Sequence, residues 1–253
     1  MADARLEALQ VSVARLGDLA SRLSDDEVTR PAYPSEWSIA DVFSHIGSGA
    51  VIMQRRLDDT LAGADTPDDF APGVWDTWNA KAPTTQRDDS LIADAAFLAR
   101  VEGVTAEDRA AFRLAMGPMN LDFHAFVTMR LNEHAIHTWD IEVVIDPAAT
   151  VPERIAAVVI DNLDMIARYT AKPTGDTKTI TVATTGPTRG FTIALNPESV
   201  TFTSTTAERA AADVELPAEA FARLVYGRLD PAHTPRNDQG QILDLLRRVF
   251  PGP

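Results

Sequence analysis

Glu133 and His137 stand four residues apart in a stretch with helical patterning. At 3.6 residues per turn, positions i and i+4 share one face, so a carboxylate oxygen and an imidazole nitrogen can reach one point. That donor pair suits Zn2+ and its first-row neighbours. The same spacing is common on solvated helix faces, so the pair needs a third donor to mean more. His45 is the candidate. It lies in a mostly apolar stripe, with Asp41, Ser48 and Gly49 at i−4, i+3 and i+4, neighbours small or polar enough to leave room around an imidazole. The alternative is a core histidine satisfied by a hydrogen bond. If the helices carrying residues 45 and 133–137 pack together, three protein ligands converge on one divalent ion. Coordination positions then stay open, as in a catalytic rather than a structural site.

Other assignments compete. His134 and His137, at i and i+3, form a second possible pair, but His134 lies roughly 100° around the helix from Glu133. His124 falls more than two turns before His137 and reads as a core or surface residue. The string Glu133-His134-Ala135-Ile136-His137 lacks the first histidine of the H-E-x-x-H pattern, which excludes that class of zinc peptidase.

The elements that must position these residues are helical. Leu6, Leu9, Val13, Leu16, Leu19 and Leu23 recur at steps of three and four and predict a first helix over 4–23. Ser38, with Asp41 three residues on, reads as a capping box opening a second helix over 39–61. Residues 63–86, rich in Pro, Asp and Thr, read as a long loop with a short helical piece around Trp75 and Trp78, a lid or a surface excursion. A third helix is expected over 90–101. Thr105 and Asp108 cap a short one running to Met116, which Gly117-Pro118 breaks. A long helix over 120–145 carries Glu133 and His137, and Pro147 ends it.

Beyond a helix over 152–169 the texture changes. Segments 179–184, 191–195, 200–205 and 213–216 read as strands, and helices at 218–227 and 242–250 finish the chain. The expected organisation is a helical domain over 1–147 and a small α+β domain with an antiparallel sheet over 148–253.

The 253 residues carry a net charge of −14. No run of Lys and Arg overcomes this locally, which argues against nucleic acid and anionic membranes as partners. The chain has no cysteine, which excludes disulfides, thiolate ligands and a cysteine nucleophile supplied by the protein. With charged residues near the start and no long apolar run, a cytoplasmic location is expected.

The stretch Trp37-Ser38-Ile39-Ala40-Asp41-Val42-Phe43-Ser44-His45-Ile46 resembles the signature before the first metal-binding histidine of the mycothiol-dependent maleylpyruvate isomerase family. Asn132-Glu133-His134-Ala135-Ile136-His137-Thr138-Trp139-Asp140 resembles its second signature. The resemblance implies a DinB-like up-down four-helix bundle followed by a sterol-carrier-like domain. It implies His45, Glu133 and His137 as ligands of Zn2+ or another divalent first-row metal, and mycothiol as thiol cosubstrate. It also implies an active-site arginine from the C-terminal domain. Leu224-Val225-Tyr226-Gly227-Arg228 resembles that stretch, which makes Arg228 the candidate, against a solvated arginine ending a helix.

The chemistry so implied is addition of a metal-activated thiolate to a small electrophile. If the thiol is expelled after bond rotation the enzyme is a cis-trans isomerase, and if it stays the enzyme is an S-transferase. A thiol-independent zinc hydrolase and a non-catalytic protein binding a small apolar ligand are the alternatives.

Overall fold

The computed structural model describes residues 3–34, 36–117, 119–206, 211–235 and 240–252. Pro118, expected to break a helix with Gly117, lies outside the described residues. The chain divides into two compact units, Met1–Asp146 and Pro147–Pro253.

The first unit is mostly helical. Its long helices are α1 (Ala4–Ala20), α2 (Ile39–Leu61), α4 (Pro83–Glu102) and α6 (Phe123–Glu142). Helix α2 packs on α4 and α6, and α1 packs on the same two helices. Leu16, Leu19, Val28, Val42, Phe43, Ile46 and Ile141 join in one buried cluster at the end of the unit that holds the start of α2. Each such side chain contributes roughly 1.5–3 kcal/mol when buried.

The start of α2 is the capping box that the sequence predicts. The Ser38 hydroxyl accepts from the Asp41 N–H, and the Asp41 carboxylate accepts from the Ser38 N–H. Two orphan donors are satisfied, and the first turn is fixed. Further along α2, Gly47 lets the neighbouring helices approach. A Cβ there would meet the Trp78 ring at 2.3 Å and the Ser90 Cα at 2.8 Å.

Three expectations are revised. The 63–86 stretch holds the expected helical piece around Trp75 and Trp78, α3 (Phe70–Asn79), but its loop is shorter than expected because α4 begins at Pro83 rather than at residue 90. Pro83 is tolerated because the first turn of a helix does not need its N–H. The helix opened by Thr105, α5 (Ala106–Ala111), stops before Met116, and the hairpin β1 (Leu114–Met116) and β2 (Met119–Leu121) follows. The helix over 152–169 is two: α7 (Glu153–Val159) and α8 (Leu163–Thr170), joined by a 3-10 turn.

The second unit is α+β. Its sheet contains β3 (Lys178–Thr185), β4 (Gly190–Asn196), β5 (Ser199–Thr205) and β6 (Val214–Pro217), in the order β5-β4-β3-β6. The antiparallel expectation holds for β3-β4-β5, but β6 runs parallel to β3, so the sheet is mixed. In the sheet β4 and β3 stand between β5 and β6, so β6 is not the hairpin partner of the strand before it, and strand patterning leaves its direction open. Helices α9 (Ala218–Val225) and α10 (Gly240–Val249) complete the unit. Phe191, Phe202, Phe221 and Phe250 form its aromatic core, with neighbouring ring centroids 5.0–6.4 Å apart. Among the described residues, no helix is long and apolar enough to cross a membrane.

Candidate metal centre

His45 lies two turns into α2, and Glu133 and His137 lie on successive turns of α6. The packing of these helices brings the three side chains together. His45 Nε2 is 3.4 Å from Glu133 Oε2, and His137 Nε2 is 3.7 Å from the same oxygen. One ligand atom from each residue lies within 4.8 Å of the other two. The imidazoles meet edge to face, with centroids 4.4 Å apart. His137 is buried, whereas the side chains of His45 and Glu133 keep 37% and 44% of their surface exposed. The group is therefore held from behind and open in front.

The electrostatics favour a cation at this point. Burial pushes the His45 imidazole below its ordinary range, against the hydrogen bond to Glu133. Burial also opposes protonation of His137, but the carboxylates of Asp140 and Glu133 outweigh it and hold the imidazole above its ordinary value. Burial alone would raise Glu133. Its hydrogen bonds with His137 and His45 instead hold it well below the usual carboxylate range. An ionised carboxylate between two imidazoles is a donor set suited to Zn2+ or a first-row neighbour.

Two residues support the set that spacing arguments missed as functional. His137 Nδ1 lies 2.9 Å from Asp140 Oδ2, which is fully buried. A carboxylate oxygen there accepts, so Nδ1–H donates and Nε2 is the nitrogen that faces Glu133. The i+3 spacing of Asp140 from His137 was the available signal. Trp37 stacks on the His137 ring at 5.8 Å and lies tilted against His45 at 5.4 Å. It is held because its carbonyl accepts from the Ala32 N–H and its N–H donates to the Pro34 carbonyl. Tyr33, in the same turn, donates its N–H to the Asp140 carbonyl.

The competing histidines go elsewhere. His134 is fully buried, with Nε2 3.1 Å from Asp94 Oδ2 and Nδ1 2.8 Å from the Ser12 hydroxyl. Asp94 also accepts from Arg130, which donates to the Ile46 carbonyl. This buried network ties α1, α2, α4 and α6 behind the centre. His124 pairs at the surface with Asp3. Arg228 lies in the second unit, just after α9. It is buried, not solvated, and its guanidinium donates to the Tyr226 carbonyl.

The model of a family described as the mycothiol maleylpyruvate isomerase N-terminal domain matches residues 9–142. The crystal structure of a mycothiol-dependent maleylpyruvate isomerase is similar at a TM-score of 0.65, with 13% identity over 88% of each chain. A histidine-to-alanine variant of that isomerase is similar at the same TM-score, with 12% identity over 88% of each chain. At this identity the likeness is one of fold. No curated protein matches the sequence.

Proposed function

This chain belongs to the mycothiol maleylpyruvate isomerase N-terminal domain family, and from that premise we propose that it is a metal- and mycothiol-dependent enzyme acting on a small electrophile. The observation that carries the reading is the open-faced convergence of His45, Glu133 and His137 in a protein without cysteine. On this reading the first unit is a DinB-like up-down four-helix bundle, and the second a sterol-carrier-like domain. The three residues hold Zn2+ or another divalent first-row ion. When bound, such an ion supplies positive charge that favours the deprotonated, nucleophilic form of a thiol.

The chain's own residues do the rest. Asp140 keeps the His137 proton on Nδ1 and so keeps Nε2 free as a donor. Glu133, ionised between the imidazoles, balances the charge of the cation. Trp37 covers the imidazole rings with an apolar face and excludes water from that side. Because the protein has no thiol of its own, mycothiol supplies the sulfur, in a compartment such as the cytoplasm that keeps thiols reduced. Arg228 is our candidate for pairing with a substrate carboxylate, by a two-point contact.

The favoured reaction is cis-trans isomerisation of a maleylpyruvate-type substrate. The thiol sulfur adds to one carbon of the double bond and the electron pair moves into the conjugated carbonyl. The resulting single bond rotates, and return of the pair expels the thiol unchanged. The experiment is incubation of the zinc-loaded protein with mycothiol and a labelled cis substrate. Trans product with thiol recovered in full supports the isomerase. A stable conjugate supports the S-transferase. Turnover in thiol-free buffer, or none with thiol present, overturns the thiol-dependent reading.

A further inference from the structure

The end of α2 remote from the metal centre borders a cavity of about 860 Å3. It is walled by α2, by the turn over 63–68 and by β1 with Gly117. Arg56, on α2, is eleven residues beyond His45. At 1.5 Å per residue the two Cα atoms lie roughly 16 Å apart along the helix, and none of the proposed metal ligands lines the cavity.

The wall is a built structure. The Asp59 carboxylate accepts from the Thr66 hydroxyl at 2.8 Å, and the Asp59 carbonyl accepts from the Ala64 N–H, so the turn is tied down to α2. The same carboxylate accepts from Arg55, which leaves it engaged away from Arg56. Arg56 is half-buried and donates to a weak acceptor, the Met116 sulfur at 3.5 Å. Burial lowers its affinity for the proton, with no carboxylate restoring it. Arg113, from the opposite wall, donates to the Ala110 and Phe112 carbonyls and makes no ion pair among the described residues.

A partly desolvated guanidinium that makes no ion pair among the described residues is costly unless an anion completes it. The hydroxyl of Thr60 is a further lining group that can donate to an oxyanion. Asp65 and Asp68 also line the cavity and are exposed. They discourage bulk polyanions and favour a small anion carrying a hydroxyl or amino donor of its own. We propose that this cavity is a second binding site, for a small oxyanion such as a hydroxy acid or a phosphate, seated between Arg56 and Arg113. It goes beyond the thiol-dependent reading and does not rest on it.

The test uses the full, zinc-loaded chain labelled with 13C in its methionine methyl groups, titrated with malate and, separately, with inorganic phosphate at constant ionic strength. The expected result is a saturable shift of the Met116 resonance with at least one of the two, weakened at least tenfold in Arg56→Gln and weakened also in Arg113→Gln. Whether malate or phosphate binds more tightly decides between a carboxylate and a phosphate ligand. The remaining methionine resonances report whether each variant keeps its fold. If Arg56→Gln perturbs them, Arg56→Lys, which keeps the charge but loses the fork, replaces it and is expected to weaken binding less. No saturable Met116 shift with either anion, or equal shifts in wild type and variants, overturns the proposal. Anion binding at the metal centre alone would leave the Met116 shift independent of Arg56, and would also overturn it.

Discussion

His137 Nδ1 and Asp140 Oδ2 are 2.9 Å apart, one helical turn from each other on α6, and Asp140 is fully buried. This contact sets which imidazole nitrogen faces Glu133, so it governs how well the centre accepts a cation. Asp140→Ala is expected to weaken zinc binding about 10–100-fold, as loss of a carboxylate behind a histidine ligand does elsewhere. His137→Ala, which removes a donor outright, is expected to weaken it more. Zinc competition titration of the two variants checks the order, and equal affinity for Asp140→Ala and wild type contradicts it.

Zinc affinity should depend on pH with a sign set by His137. The imidazole must be neutral to bind, and Asp140 and Glu133 hold its pKa above the ordinary value. Protons therefore begin to compete at a higher pH than at a free imidazole, whose pKa is about 6.5. Affinity should be level at high pH and fall about tenfold per unit, for each proton displaced, as pH drops through the His137 value. Asp140→Asn should move the onset to lower pH. In the metal-free protein the same raised value adds stability that is fully present below about 6.5 and fades as pH rises through the folded value. Titrations at a series of pH values, with and without zinc, measure both trends.

The buried carboxylate of Asp94 should behave in the opposite sense. Burial raises its pKa, but Arg130 and His134 overcome this and hold it below the usual range. Its stabilising contribution is present above the unfolded value, near 3.9, and is lost as pH falls through the folded value. Asp94→Asn leaves the Arg130 charge buried without its partner, which should cost about 3–5 kcal/mol at neutral pH. The difference from wild type should shrink below about pH 4. Denaturant unfolding across this range measures it.

Gly47→Ala should destabilise the first unit strongly. The added Cβ would lie 2.3 Å from the Trp78 ring and 2.8 Å from the Ser90 backbone, so α2 must separate from α3 and α4. A cost of about 3 kcal/mol or more is expected for such overpacking. Gly73→Ala, at a position where a Cβ meets nothing within 4 Å, serves as the control and should be near neutral or mildly stabilising. Thermal melts of the two variants compare them.

Local patterning determined a good deal of this protein. The Ser38–Asp41 capping box fixed the start of α2, and the i, i+4 spacing of Glu133 and His137 put two donors on one helix face. The strands of the second unit were legible from alternation and turn residues. All of these depend on neighbours within a few positions, where backbone geometry is nearly invariant. Contacts between distant segments depend on how the helices pack, and no local pattern encodes that. Packing alone brought His45 to Glu133, turned His134 toward Asp94 and Ser12, and laid Trp37 over the imidazoles. Residues 90 and 47 became neighbours, and β6 took a parallel place beside β3, for the same reason: burial of apolar surface is non-directional, and it is the shape of the whole core that selects which faces meet.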